Sequence, residues 1–595
     1  MDHKKPLLAL ALLCAAGLTQ AGEKEELLKL RNTTTNLIKQ LVKQGILTEK
    51  TANEMIKQAD AEADKQVAEA KAAAPKADVA KESVPADEVR VGYVPDFVRD
   101  EIRQQVRSEL REEVVSDVMQ KAKKEQWGIP NALPEWVHKF KLSGDMRIRE
   151  QSSFMASDNA PNGVYLDWPT INSLGGLGIA SGATTGITNI NNYALNTQGD
   201  LNQARERVRL GIDVNITEGF AAGMRLATGN IRNPVSTNQT MGNYDNRYDF
   251  NIDRAFLKYS KVNDDKFNWL TVMAGRTPNP FFTGGSELVW DEDLSFEGIF
   301  GTVRHQVGKS EMSDSIGGKG PTVFTTAGIF PLQSSTGLST RDKWLVGGQT
   351  GLDWGFDNQD IAQLGVAYFS YQNIKAIANT NQSLGYDCLS NTADMTQSVP
   401  QYMQGGNTLA SICNNNTYFP EDGGVNQSYP GLAGLATNYN ILNINAVYDM
   451  ALFAPTHIKF SADYAKNLSY SISKQSQAQL FFVNGGTNLG QSSQLPEGQT
   501  NAFQVRTDVG WPKVDAFGKW SVFTYYKYVE RDAVLDAFTD SDFHLGGTNV
   551  KGWTIGGNYG LVKNVWVTGR WLSGNVISGA NYGVDVMQLD LNTRF

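Results

Sequence analysis

The last thirteen residues, GVDVMQLDLNTRF, constrain the fold more tightly than any other stretch. Side chains in a strand alternate faces, so Met587, Leu589, Leu591 and Phe595 fall on one side and Gln588, Asp590, Asn592 and Arg594 on the other. Thr593 interrupts the apolar series. One face suits hydrocarbon and the other suits water, which is the pattern of a strand closing a transmembrane barrel. The competing reading of this segment is an edge strand of a soluble sandwich.

The chain begins with Lys4 and Lys5, an apolar run from Leu7 to Leu18, and small residues ending at Ala21. This reads as a secretory signal peptide over 1–21, cleaved before Gly22, with an apolar run too short to cross a bilayer as a helix. Cys14 lies inside that run without the small residue before it that a lipoprotein signal shows, and leaves with the peptide. No later run of about eighteen apolar residues exists, which excludes a helical membrane protein. Instead, 57 glycines and 41% hydrophobic residues point to a large β structure, whose alternation averages apolar against polar positions and keeps hydropathy moderate. With Lys4, Lys5 and Asp2 removed, 52 basic residues face 62 acidic ones, a formal charge of −10 that does not suit a general nucleic-acid binder. The remaining cysteines, Cys388 and Cys413, lie 25 positions apart in a Gly/Asn/Ser-rich stretch and most simply form one disulfide.

From 22 to 74 the chain is rich in Ala, Lys, Glu and Gln, with Leu27, Leu30, Thr34, Leu37 and Leu41 at heptad a and d positions. It reads as a helical hairpin or coiled coil. A polar linker covers 75–94, and a second charged helix covers 95–126, where Val98, Ile102, Val106, Leu110, Val114 and Val118 recur every fourth position. Seams this narrow call for partner helices, so a homo-oligomer, most naturally a trimer, is expected. A solitary charged helix and a contact with the cell wall are the alternatives. WGIPNALPEW at 127–136 ends the helix with two prolines and marks the domain boundary.

Residues 137–595 read as an all-β transmembrane barrel of about sixteen antiparallel strands, up and down, beginning with strands near 137–150, 205–217 and 220–230. TEG, NDDK, FDNQD, LFAP, PKVDA and LVK make tight turns that alternate with much longer loops, as periplasmic turns alternate with extracellular loops. The link from Gln306 to Lys319 is too long for that scheme and makes strands six and seven the weakest assignments. An even strand number leaves both ends, and the helical N-terminal region, in the periplasm. Sixteen strands fall in the size class that leaves an aqueous channel.

In the first strand Phe140, Leu142, Met146 and Ile148 share one face, and Lys139, Lys141, Asp145, Arg147 and Arg149 the other. The second repeats this, with Arg205, Arg207 and Arg209 opposing Val208, Leu210 and Ile212, and Arg225 follows after the turn. An arginine facing lipid near the midplane costs about 2 to 4 kcal/mol, so these arginines are expected to line a water-filled lumen, joined there by Lys459, Arg506 and Arg570. The alternative, strongest for Arg205 at its strand start, is a place on the outer rim against lipid headgroups or a neighbouring subunit. Between strands five and six, residues 275–298 form a Pro/Gly-rich loop carrying Glu287, Asp291, Glu292 and Asp293 beside Phe281, Phe282 and Trp290. Such a loop has reason to fold inward, aromatics on the wall and acids toward the arginines, narrowing the pore and setting up a transverse field. An ordinary surface loop, or a Ca²⁺ site at the rim, is the alternative.

GDMRIRE, RERVRLGIDVNITEGFAAGMRLATGN, DRAFLKYS, TVMAGRTPNPFF and LVWDEDLSFEGI resemble the matching stretches of the putative porin family of Gram-negative bacteria. The resemblance is strong over about 137–305 and architectural beyond it. It implies an outer-membrane channel behind an N-terminal helical region, with the loop after strand five as the constriction, as in general porins. The 63-residue connection from Lys375 to Thr437, which holds the cysteine pair, departs from that pattern and could cap the pore.

His138, His305, His457 and His544 are scattered, with no nucleophile motif or metal-ligand spacing around them. Three functions stay open: a porin passing small hydrophilic solutes and ions; a structural or adhesive barrel, anchored through its helices and plugged by 375–437; and an outer-membrane hydrolase. The first is preferred, with no catalytic residues, metal or cofactor.

Overall fold

The computed structural model describes residues 137–173, 193–307, 321–334, 341–356, 358–377, 398–412, 432–451, 453–472, 480–481 and 498–595. The expected signal peptide, helical regions, linker and Pro/Trp boundary lie outside them, as do Cys388 and Cys413.

Sixteen strands close one antiparallel barrel. They are β1 (Phe140–Met155), β2 (Leu201–Thr217), β3 (Phe220–Ala227) and β4 (Asn251–Val262). Next come β5 (Asn268–Pro278), β6 (Ser295–Gln306), β7 (Thr322–Gln333) and β8 (Lys343–Gly355). β9 (Ile361–Gln372), β10 (Asn440–Met450), β11 (His457–Asn467) and β12 (Asn501–Gly510) follow. β13 (Trp520–Val529), β14 (Val550–Val562), β15 (Val565–Val576) and β16 (Gly583–Arg594) complete the set. Each strand pairs with its sequence neighbours, and β1 also pairs with β16 from Asp145↔Arg594 to Met155↔Val584, which closes the cylinder.

All sixteen expected strands are present, including the pair flanking the long link: β6 and β7 pair from Ile299↔Ile329 to Gln306↔Thr322. The first two strands are longer at their loop ends than the alternation suggested, because β1 runs on to pair Ser153 with Leu201 and Met155 with Val584. The backbone hydrogen bonds of both neighbours override the polar local sequence there. Among the described residues the only α-helix is the six-residue α1 (Trp168–Ser173), in the first long loop.

The terminal dyad is realised in β16. Met587, Leu589 and Leu591 are exposed on the outer wall, while Gln588, Asp590 and Asn592 are buried within. Leu142, Leu210, Leu257, Val303, Val346, Val366, Val505 and Ile555 continue the outer apolar face around the barrel. Aromatic pairs edge it at both ends. Phe220–Tyr259 (4.6 Å) and Trp354–Phe356 (4.7 Å) sit by the short turns, Phe154–Trp571 (5.8 Å) and Phe503–Tyr528 (5.5 Å) by the long loops. Such girdles suit the two interfaces of a bilayer. At the seam, the backbone N–H of Gly144 donates to Phe595 O and that of Phe595 to Gly144 O, both at 2.9 Å. A Cβ on Gly144 would meet the Phe595 ring at 2.4 Å, so the missing side chain makes room for the terminal aromatic.

Leu589→Arg, at mid-strand on the outer face, should destabilise the barrel by about 2 to 4 kcal/mol. Urea unfolding in lipid vesicles measures it, and a change within experimental scatter would remove the outer face from lipid.

Candidate functional site in the barrel lumen

On the inner side of β1 and β2 the register sets Asp145 opposite Arg209, Arg147 opposite Arg207, and Arg149 opposite Arg205. Opposite residues in an antiparallel pair share a face, and like charges there repel, so these rungs need counter-charge. It comes from both walls and loops. Asp145 accepts from Arg209 at 2.8 Å and meets Arg207 at 3.1 Å. Asp293 meets Arg209 at 2.8 Å and Arg207 at 3.6 Å, and Glu292 reaches Arg207 at 3.8 Å. Arg149, 1% exposed, bridges Asp590 at 2.7 Å and Asp542 at 2.9 Å, and Arg570 meets the same two carboxylates at 3.3 and 3.4 Å.

The other expected basic residues also lie on inner faces. Arg225 pairs with Asp253. Across the lumen, Arg506 bridges Asp508 at 2.7 Å and stacks on Phe523 at 4.5 Å, while Lys459 is 4.0 Å from the same carboxylate. Arg205 donates to Gln203 Oε1 at 2.6 Å.

The loop over 279–294 enters the barrel. Gly284 and Gly285, both at positive φ (63° and 81°), turn it, and its apolar side chains are buried against the wall. Phe281 meets Phe369 at 4.8 Å, and Trp290 packs on Phe296 at 4.9 Å and Phe369 at 5.0 Å. From β8, the Gln349 amide clamps its start, accepting from the Phe282 N–H at 2.7 Å and donating to Phe282 O at 2.8 Å. The expected acids separate. Glu292 and Asp293 face the arginines, whereas the Asp291 carboxylate accepts from Ser541 N of another loop at 3.0 Å and the Glu287 carboxylate accepts from Glu292 N of its own loop at 3.1 Å, its main-chain carbonyl taking Asp540 N at 3.2 Å. The expectation that all four acids face the arginines is corrected, since backbone N–H groups capture two of the carboxylates, Ser541 N of that second loop taking Asp291 and Glu292 N taking Glu287.

That second loop, residues 530–549, is buried in the lumen, and its role was not legible in the sequence. Segments 398–409 and 432–439 of the long connection join it there. Asn407 Nδ2 donates to Arg531 O at 2.6 Å and Val534 O at 2.9 Å, and Thr408 Oγ1 to Asp532 at 2.6 Å. Tyr439 also donates to Asp532, at 2.9 Å. Trp290, Phe538, Leu535, Leu409, Leu435 and Tyr439 belong to one buried apolar cluster, so three loops share a core inside the barrel.

Burial sets the titration of the loop carboxyls. Glu287 is pushed up to about 8 by burial and by Asp540 and Glu292, and Asp291 is raised well above its ordinary range by burial and Glu287. Burial works against the charged form of Asp542 too, yet Arg149, Arg570 and Arg147 hold it well below the usual carboxylate range. His544 is buried in the second loop with Nε2 3.0 Å from Tyr582 O, His457 pairs with Asp449 at 2.9 Å, and the remaining histidines lie apart.

Sequence reasoning missed Arg254. Ile252 and Arg254 have the same parity in NIDRAFLKYS, yet Ile252 faces outward and Arg254 inward. The register shifts between Arg225 and Leu226, so a bulge turns both Asp253 and Arg254 inward. Arg254 lines a chamber of about 690 Å³ together with Arg207, Arg209, Arg225 and Arg594.

A family model described as Putative porin matches residues 31–595. No curated protein matches. Among solved structures, the outer membrane channel DcaP of Acinetobacter baumannii is 12% identical, with 77% of this chain and 97% of that one covered and a TM-score of 0.35. OpdQ of Pseudomonas aeruginosa is 10% identical, with 78% and 99% covered and a TM-score of 0.33. OmpF of Salmonella typhi, solved with daunomycin, is 11% identical, with 77% and 97% covered and a TM-score of 0.33.

Glu287 makes loop docking pH-dependent. Its carboxyl stays protonated to higher pH when docked, so docking is firmest below the ordinary value of 4.5 and weakens as pH rises through about 8. Hydrogen exchange of 280–294 and 530–545, corrected for intrinsic rate, should show lower protection at pH 9 than at pH 5. Glu287→Gln should flatten that difference.

Proposed function

The chain belongs to the Putative porin family, and from that premise we propose an outer-membrane porin through which small hydrophilic solutes and ions diffuse passively. One observation carries the reading: side chains divide between an apolar outer face edged with aromatics and an inner face whose charged groups meet one another across the lumen. Aliphatic side chains on the outside suit hydrocarbon, and buried guanidinium groups inside require water or carboxylates.

In this reading Arg147, Arg149, Arg205, Arg207, Arg209 and Arg225 form a basic wall, and Glu292 and Asp293 supply the opposing charge at the constriction. Lys459, Arg506 and Arg570 line the rest of the path. A solute descends its gradient, width and field supply selectivity, and neither a catalytic group nor a cofactor takes part. The N-terminal region is assigned to the periplasm, where the helices expected from its sequence would join copies into an oligomer, a trimer in the simplest case.

A second reading, a structural barrel with an occupied lumen, has its own support in the burial of 398–409 and 432–439. Planar-bilayer recording separates the two. The porin reading expects stepwise single-channel currents. It also expects the Arg207→Gln, Arg209→Gln double variant to shift the reversal potential toward cations in a salt gradient, since Asp145 and Asp293 lose their partners. A silent membrane with folded protein inserted would support the structural barrel.

A further inference from the structure

Five arginines crowd the inner side of β1 and β2, but counter-charge reaches them unequally. Arg149 takes Asp542 and Asp590, and Arg207 and Arg209 share Asp145 and Asp293. Arg147 and Arg205 receive only neutral oxygens. Arg147 Nη2 donates to Asn238 Oδ1 at 2.5 Å, Arg205 Nη2 to Gln203 Oε1 at 2.6 Å, and neither has a carboxylate partner among the described residues. Arg254 is the third of this kind, with Nε donating to Ser295 Oγ at 3.2 Å.

This shortage is costly. A guanidinium cannot shed its proton as a lysine can, so it stays charged when water is withdrawn. Arg147 is 6% exposed, stands opposite Arg207, which is 7% exposed, and has Arg149 two residues along the same face. The Nε atoms of Arg147, Arg205 and Arg207 are buried and bonded to nothing in the protein. Buried donors at three neighbouring guanidiniums are a preorganised demand for an acceptor that the chain does not itself supply.

Space for one lies against the last of them, Arg207. The chamber of about 690 Å³ is lined by Arg207, Arg209, Arg225, Arg254 and Arg594 against Asp145 and Asp213. Counting Asp253 and Asp293, which pair with Arg225 and Arg209, and Asp515, 3.9 Å from Arg594, the carboxylates still leave Arg254 without an ion-pair partner, its Nε meeting the neutral Ser295 Oγ. Its volume suits a small ligand, and its walls suit a planar or tetrahedral oxyanion gripped by guanidinium forks.

We propose that this arginine-walled chamber is a binding site for a small oxyanion, the carboxylate of an organic acid or inorganic phosphate, with Arg254 supplying its unneutralised charge and Arg207 a buried Nε donor. The site gives the lumen a preferred solute class, and in that respect rests on the porin reading. A fixed cluster of positive charge concentrates anions, and an exchangeable contact at its rim hands them on.

The test is calorimetric titration of the full chain in detergent with sodium phosphate and, separately, sodium acetate, in low-chloride buffer. At least one anion should bind, with affinity falling as salt rises. Arg254→Gln and Arg207→Gln should each weaken binding about tenfold or more, as expected for loss of a charge-assisted bond. Arg254→Lys should retain part of the affinity, which separates lost charge from lost folding, and Lys466→Gln, on β11 and outside the chamber wall, should bind as the parent does. Phosphate alone binding assigns the phosphate class, and acetate binding assigns carboxylates. Absence of binding by both, or parental affinity in the Arg254 and Arg207 variants, overturns the proposal. Binding with no current in bilayers would leave the site standing and remove the porin reading.

Discussion

A barrel wall in lipid must satisfy every backbone donor and acceptor within itself, because hydrocarbon offers none. The pairing of β1 with β16 meets that requirement, and most of the architecture descends from it. Closure leaves no edge, fixes which face of each strand meets the bilayer, and confines all remaining polarity to the inside. The buried Asp590 and exposed Leu589, adjacent in sequence and facing opposite solvents, are this constraint acting on two neighbouring residues.

Confining polarity within creates a second problem, which the loops answer. The inner wall places arginine opposite arginine, an arrangement a sheet alone would not tolerate. Asp293 arrives from the loop after β5 to sit between two arginines of β2, and Asp542 from the loop after β13 to sit between arginines of β1 and β15. The same loops bury Trp290, Phe538 and Leu535 together, so apolar packing delivers the carboxylates to their partners.

The wall was legible because its signal is local. Alternation with period two reports burial directly, and sixteen such segments could be counted from LSGDMRIRE to VMQLDLNTR without knowing what each strand touched. The lumen was legible only in part. The aromatic-acidic composition of 279–294 marked it as a loop with reason to turn inward, but nothing local separates Glu287 from Glu292. The carboxylate of the first turns back to the Glu292 N–H while its main-chain carbonyl meets a loop more than 200 residues away, and the carboxylate of the second reaches Arg207. Residues 530–549 carry no excess of apolar side chains that would mark them as buried, and their place depends on Asn407 and Asp291. Arg254 was hidden because a bulge reverses parity, and parity was the instrument being used.

The loop after β5 is tied at both ends to distant parts of the cylinder: Gln349 of β8 clamps Phe282, and Arg209 of β2 grips Asp293. It therefore works as an internal tie-rod. Five strands of wall lie between its anchor points, and their spacing is set by a segment that belongs to neither. Mechanical changes at one anchor are delivered to the other, so a remote glutamine helps to hold the aspartate that balances the arginine ladder.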